Sequence, residues 1–401
     1  MSLLEDYIMD LNALETARRN TKFTRIRSID FVKGFAISLI ILAHSGEQWV
    51  TEEFRFAWAL LYAWMDVFGP SLFIFLSALS VIFSLRKKMG FIPEKVLRNS
   101  IFIRGIVIIA LGVVWNIGTQ SQYPFPFNLW GWNILMFIGF AQIICYYAVK
   151  MARGTRIIVG LLVIFLTEPI REFLYLNKDI NPIVNVIHFI IVSPAPHLTF
   201  IPYVSLCFFS TIFGEMFFEA MLLETREAYM EAFRNFIKFG AIFVFFGIIT
   251  GLDILTPYNT DAKEYFFMDL VPVMQNQSYF YIPGIYKFLV RGTPANSFYS
   301  LGMALLILGG FFYIIDIKQY DSRFIKMYIF FGRVSLSLFF ISYIGLFLYY
   351  RYLDIYTYFP VVISYIGFLG ISMYVWNKYM EGKYSFEWMM SQMGKKKKKK
   401  P

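Results

Sequence analysis

Ser28-Ile29-Asp30-Phe31-Val32-Lys33-Gly34-Phe35-Ala36-Ile37-Ser38-Leu39-Ile40-Ile41-Leu42-Ala43-His44 is an apolar run of membrane-span length that nevertheless carries Asp30, Lys33 and His44. An ionisable side chain at the middle of a bilayer costs about 2.5 kcal/mol or more, so three in one span suggest a working site. Their spacing is helical. Asp30 and Lys33 lie one turn apart on one face, where they can pair. Lys33 and His44 are eleven residues apart. That is about three turns, which sets them on nearly the same face roughly 17 Å apart along the axis. The first span therefore carries an ion pair at its start and an imidazole at its far end.

The rest of the chain agrees with a membrane setting. Of its 401 residues, 58% are hydrophobic and 16% charged, with a mean hydropathy of +0.57. A soluble domain averages about 25% charged residues. The composition predicts an all-α, polytopic integral membrane helix bundle. Apolar segments fall near 29–46, 57–85, 99–118, 129–149, 157–168, 199–219, 237–255, 297–317, 327–350 and 355–377, about ten transmembrane helices. The second is long and broken at Gly69-Pro70, and the fifth is short. Phe and Tyr, at 46 and 27 residues, suit lipid-facing and interfacial positions. Cys145 and Cys207 fall within predicted spans, so no disulfide framework is expected. No cleavable signal peptide is expected either, and the first span should act as its own insertion signal.

The net charge of +10 is explained by topology and calls for no nucleic acid. With the N-terminus inside, about 27 Lys and Arg lie on the inner side and about 7 on the outer, as the positive-inside rule requires. Both termini are then cytoplasmic, His44 faces the outer half, and the location is the cell membrane. Residues 1–27 form a basic cytoplasmic segment, 28–378 the transmembrane domain, and 379–401 a cytoplasmic tail. The tail's Lys395–Lys400 run suits anionic membrane lipid. Residues 86–98 are expected to be a basic inner loop and 169–198 an outer loop with His188 and His197. Residues 220–236 predict an inner amphipathic helix. The tyrosine-rich stretch 256–296 predicts a long, ordered outer loop.

Within this frame His44 is a candidate base, because partial desolvation keeps an imidazole neutral. It needs an acceptor on its other nitrogen, and Glu47, one turn on, and Asp66, near the next segment, are candidates. The inner basic residues Arg86, Lys87, Lys88, Arg98 and Arg104 satisfy the positive-inside rule without further purpose. Arg104 differs in lying inside an apolar run, where it should pair with a carboxylate or bind phosphate. Arg333 poses the same question. There is no phosphate-binding glycine loop, no Gly-x-Ser-x-Gly elbow and no Cys/His metal cluster, so no metal is expected.

Arg27-Ser28-Ile29-Asp30-Phe31-Val32-Lys33-Gly34, followed by His44, resembles the first motif of the transmembrane acyltransferases. That superfamily includes acyltransferase family 3 and the heparan-alpha-glucosaminide N-acetyltransferase catalytic domain. Its motif is Asp-x-x-Arg-Gly and then a histidine; here lysine stands for the arginine, keeping the charge and losing the fork. Pro70-Ser71-Leu72-Phe73-Ile74-Phe75-Leu76-Ser77-Ala78 resembles the superfamily's Phe-Leu-Phe-x-Ser-Gly, and Arg98–Arg104 resembles its following basic span start. Phe200-Ile201-Pro202-Tyr203 with Gly214 is similar to a pattern of the heparan-type branch, which fits the better of the two. Gly332-Arg333-Val334-Ser335-Leu336 resembles a late Gly-Lys/Arg-x-x-Leu motif. Where that motif runs into a histidine, this chain has Ser342-Tyr343.

The resemblance implies transfer of an acyl group, usually acetyl, from cytoplasmic acetyl-CoA or another acyl-CoA to a sugar or glycan acceptor at the outer face. It implies His44 as base or transient acyl carrier, with Asp30, Lys33, Glu47 and Asp66 around it. Arg86, Arg98, Arg104, Arg333 and Ser77 would serve the donor. A homo-oligomer is compatible with this reading. Two rivals belong to other classes. A transporter or glycan exporter would use Asp30, Lys33 and His44 as a relay across the bilayer. A non-catalytic subunit would use its buried ion pairs only to fix helix packing.

Overall fold

A computed structural model describes residues 25–54, 57–58, 68–89, 91–119, 124–192, 199–255 and 285–393. The run 28–44 lies within one helix, α1 (Arg27–Trp49). Its N-cap, Ile26, has no side chain that can accept the free N–H groups of the first turn. Asp316 does so from the far end of the chain: its carboxylate accepts from the backbone N–H of Arg27 at 2.8 Å and of Ser28 at 3.0 Å. A carboxylate there also suits the helix dipole.

The helices that follow are α2 (Pro70–Lys88), α3 (Glu94–Thr119), α4 (Ile134–Ala148), α5 (Arg153–Asn177) and α6 (Pro182–Ile191). After a short turn, Phe200–Tyr203, come α7 (Ser205–Leu223), α8 (Arg226–Thr250) and α9 (Pro294–Phe312), the last running on as a π-helical stretch, Tyr313–Ile317. Then come α10 (Arg323–Arg333), α11 (Ser335–Ile344), α12 (Ile355–Met380) and α13 (Phe386–Met393). Proline stands at the first position of α2, α6 and α9, where its missing N–H has no partner to lose. Two residues either side of the undescribed 256–284 pair antiparallel, Ile254 opposite Tyr286.

Among the described residues seven helices are long and apolar enough to cross a membrane: α1, α2, α3, α7 with its preceding turn, α8, α9 and α12. The chain is thus an all-helical, multi-pass membrane protein. The expected ninth span, 327–350, is not straight. It breaks between α10 and α11 with a bend of 81°, and the pair would count as an eighth crossing. The broken second segment begins its helix at Pro70, as the Gly69-Pro70 pair predicts, while 59–67 lies outside the described residues. The short fifth segment lengthens into the 25 residues of α5, which carry buried Arg156 and Arg171. The described part of the expected loop 169–198 is therefore largely helical: α5 runs to Asn177 and α6 follows, while 193–198 lies outside the described residues. The amphipathic stretch 220–236 also divides differently. Glu224 takes a left-handed turn at φ 51°, Thr225 caps α8, and the remainder continues into that helix.

Glycines set how closely these helices pack. Between α3 and α4, a Cβ on Gly139 would stand 2.6 Å from the Gly105 carbonyl oxygen, and between α8 and α9 one on Gly302 would stand 2.5 Å from the Val244 nitrogen. Apolar side chains cannot drive helices together in lipid as they do in water, so close backbone contact of this kind supplies the attraction. The outward faces stay apolar: Ile106, Val114 and Ile117 of α3, Phe245 of α8 and Ile363, Phe368 and Ile371 of α12 are all exposed, as lipid contact requires.

Candidate functional site

A close helix crossing builds the first half of the site. α1 and α10 meet at Gly34 and Gly332, where neither glycine has room for a methyl group. This crossing brings Arg333, the residue after Gly332, to Asp30, with Nε 3.7 Å from a carboxylate oxygen. Asp30 itself is 3% exposed.

The expected Asp30–Lys33 pair is replaced by another. Arg25, just before α1, folds back so that its Nη2 donates to Asp30 Oδ1 at 2.6 Å and its Nε stands 2.5 Å from Oδ2. A planar guanidinium can meet both oxygens where an ammonium meets one, so the fork wins the carboxylate. Lys33 points across to α2, where its Nζ donates to Ser80 Oγ at 2.5 Å. That hydroxyl donates in turn to the Leu76 carbonyl at 2.7 Å. Ser80 thus receives the motif lysine, and Ser77 is half-buried one turn earlier on the same helix.

More cations gather at this end. Lys87 at the end of α2 lies within electrostatic range of Arg25, and Lys88 within range of Arg104 on α3. Arg104 Nε is buried and has no hydrogen-bond partner among the described residues. A buried guanidinium N–H left so is costly unless an anion or water meets it. Arg86 and Arg98 lie elsewhere. Arg86 pairs with Glu215 on α7, beside Arg153 and the buried Arg156, whose Nη2 donates to Glu215 Oε2 at 2.6 Å. Arg98 is exposed near the start of α3.

The second half of the site lies at the other end of α1. His44 is half-buried, and its ring centroid is 5.3 Å from that of Tyr343 on α11. Arg291, in the turn before α9, lies within electrostatic range of the imidazole. Glu47 is half-buried one turn further along α1; Asp66 and His197 lie outside the described residues. The backbone around His44 is tied down on several sides. Tyr358 of α12 donates to the Leu42 carbonyl, and its hydroxyl is 3.1 Å from Ser45 Oγ. Trp49 Nε1 donates to the Leu346 carbonyl at 2.8 Å, and the N–H groups of Arg351 and Leu353 donate to the carbonyls of Gln48 and Trp49. The segment after α11 thus fastens the end of α1.

Sequence reasoning missed Arg25, Ser80, Arg291 and Tyr343. Arg25 belongs to the basic segment 1–27, and its five-residue offset from Asp30 is the local signal for a fold-back pair. Nothing local marks Arg291, and Tyr343 is marked only as part of the Ser342-Tyr343 departure from the late motif; both meet His44 through tertiary structure. His188, on α6 rather than in a loop, has its ring 6.3 Å from Tyr175. No group of three or more His, Cys, Asp or Glu gathers as a metal site among the described residues.

Residues 25–243 match the family described as heparan-alpha-glucosaminide N-acetyltransferase, catalytic. The match begins at Arg25 and takes in α1 through most of α8, while α10 and α11 lie beyond it. No curated protein matches the chain.

Proposed function

The chain belongs to the heparan-alpha-glucosaminide N-acetyltransferase catalytic-domain family, and from that premise we propose that it transfers an acetyl or other acyl group from cytoplasmic acyl-CoA to a sugar or glycan acceptor at the opposite membrane face. The observation that carries this reading is the course of α1. Its cationic end and its His44 end are joined by one helix that the Gly34–Gly332 crossing holds in place.

With both termini inside, Arg25, Lys33, Lys87, Lys88, Arg104 and Arg333 lie at the cytoplasmic end of the bundle, facing the pool of acyl-CoA. Arg104, with its unpartnered Nε, and Lys88 are the residues best suited to hold the donor's phosphates. Asp30 keeps Arg25 and Arg333 in place, and Lys33 is steadied by Ser80. The acyl-CoA supplies the thioester, and an extended arm about as long as the three turns from Lys33 to His44 would bring it alongside the imidazole. His44 takes the proton of an acceptor hydroxyl or amine as that group attacks the thioester carbonyl. The C–S bond then breaks, and CoA leaves as a thiolate that takes the proton back from the imidazolium. In the other route the imidazole nitrogen attacks first, expels the CoA thiolate, and hands the acyl group on to the acceptor. The surrounding apolar helices keep water from the thioester and favour transfer over hydrolysis.

Binding of acyl-CoA to the purified protein tests the proposal, with wild type beside Arg104→Ala and His44→Ala and with free CoA as competitor. Saturable binding that weakens in Arg104→Ala and survives in His44→Ala, together with loss of transfer in His44→Ala, is the expected result. Failure of the wild-type protein to bind acyl-CoA would remove the acyltransferase reading and favour a transporter.

A further inference from the structure

Tyr343 follows Ser342 on α11, and its ring meets that of His44 at 5.3 Å with a tilt of 47°. It has little freedom to leave. Trp115 of α3 packs edge-on against it at 4.5 Å, and Phe339, one turn earlier on α11, lies 5.2 Å away. Its helix is held as firmly. Glu387 of α13 accepts from the N–H groups of Leu336 and Ser337 at 2.8 and 3.0 Å, capping the first turn of α11. At the other end of α11, the Tyr365 hydroxyl donates to the Ser342 carbonyl at 2.7 Å.

The His44 ring, by contrast, has no hydrogen bond to any described residue, so packing has to set its orientation. Among the described residues Arg291 lies within electrostatic range of it, and Glu47 follows one turn on along α1. An imidazole that must accept a proton from an incoming acceptor needs its accepting nitrogen aimed within a narrow cone. We infer that Tyr343 is a positioning residue for the transfer reaction: its aromatic ring, clamped by Trp115 and Phe339, sets the orientation of the His44 imidazole. The contact with His44 is ring to ring, so it is the aromatic face of Tyr343 that the inference assigns. This rests on the assignment of His44 made above.

The chain has three histidines, which makes the full-length protein tractable by imidazole 15N NMR in detergent, with His44→Gln identifying the His44 signals. Tyr343→Phe should leave those signals and turnover close to wild type. Tyr343→Ala and the bulk-preserving Tyr343→Leu should shift the His44 signals and leave those of His188 in place. Both should lower kcat by about tenfold to a hundredfold with KM for acyl-CoA little changed, the pattern expected when a reacting group is misaimed. Unchanged His44 signals in both variants, or loss of activity in Tyr343→Phe equal to that in Tyr343→Leu, would overturn the inference. Failure of the underlying reading looks different: His44→Gln would then retain turnover whatever the NMR shows for Tyr343.

Discussion

Gly34 and Gly332 pack backbone against backbone. A Cβ on Gly332 would stand 1.8 Å from the Asp30 carbonyl oxygen, and one on Gly34 would stand 1.9 Å from that of Tyr328. Neither neighbour is a side chain that can swing away, so the two helices would have to part. Separation would also draw Arg333 from Asp30, which ties helix packing directly to the charge arrangement of the site.

Gly332→Ala should accordingly lower stability by about 1–3 kcal/mol, the usual penalty for overpacking a close contact. Acyl-CoA affinity should fall with it. Thermal unfolding in detergent followed by a binding titration checks both; a variant with wild-type Tm and affinity would show that α1 and α10 have slack at this crossing.

Asp30→Asn removes the charge that Arg25 and Arg333 share. Breaking a fully buried pair costs about 3–5 kcal/mol. Arg25 is 63% exposed at its side chain and well screened, which brings the expected loss down to roughly 1–2 kcal/mol. Donor affinity should change by more than stability does, because two guanidinium groups lose their common anchor. Parallel denaturation and binding series on wild type and variant separate the two effects.

Glu387→Ala takes away the cap on α11. Loss of a helix cap typically costs about 0.5–2 kcal/mol. Hydrogen exchange over 335–344 should speed up while exchange in α4, remote from the cap, stays as it was. Uniform acceleration across the chain would mean that α13 supports the whole bundle and not one helix end.

Asp321, in the turn before α10, accepts from Lys326 and from Arg27 Nη2, and these hydrogen bonds hold its carboxyl below the usual aspartate range. A carboxyl depressed in the folded protein contributes stability above its unfolded value, near 3.8. That contribution fades as pH falls through the lower, folded value. Asp321→Asn should therefore flatten the acid side of a Tm-against-pH curve below pH ~4 and leave neutral pH nearly unaffected, given the exposure of the pair. A wild-type acid limb in the variant would assign that limb to other carboxylates.

The first span could be foreseen in detail because its information is local: apolar length predicts α1, and the period of the helix puts Asp30, Lys33 and His44 along it. What Asp30 would bind could not be foreseen from the span alone, because Arg25 precedes it and Arg333 lies some three hundred residues on. The break after Arg333 was hidden for a related reason. The stretch 327–350 is apolar apart from Arg333 and three serines, and the bend is held by Glu387, a carboxylate from beyond the next helix. Conversely, α5 was underestimated because buried Arg156 and Arg171 interrupt its apolar run. The chemistry assigned to the site rests on family resemblance, since a histidine in a span is equally at home in a pump.

The closeness in sequence of Arg25 and Asp30 bears on how the chain is made. Arg25 and Asp30 leave the ribosome together, so α1 can enter the bilayer with the Asp30 charge answered locally. Arg333 arrives only after most of the bundle has been synthesised, and Glu387 later still. The Asp30 charge is thus met within its own segment, whereas Lys33 waits for Ser80 of α2, and the half of the site contributed by α10 and α11 is added late in assembly.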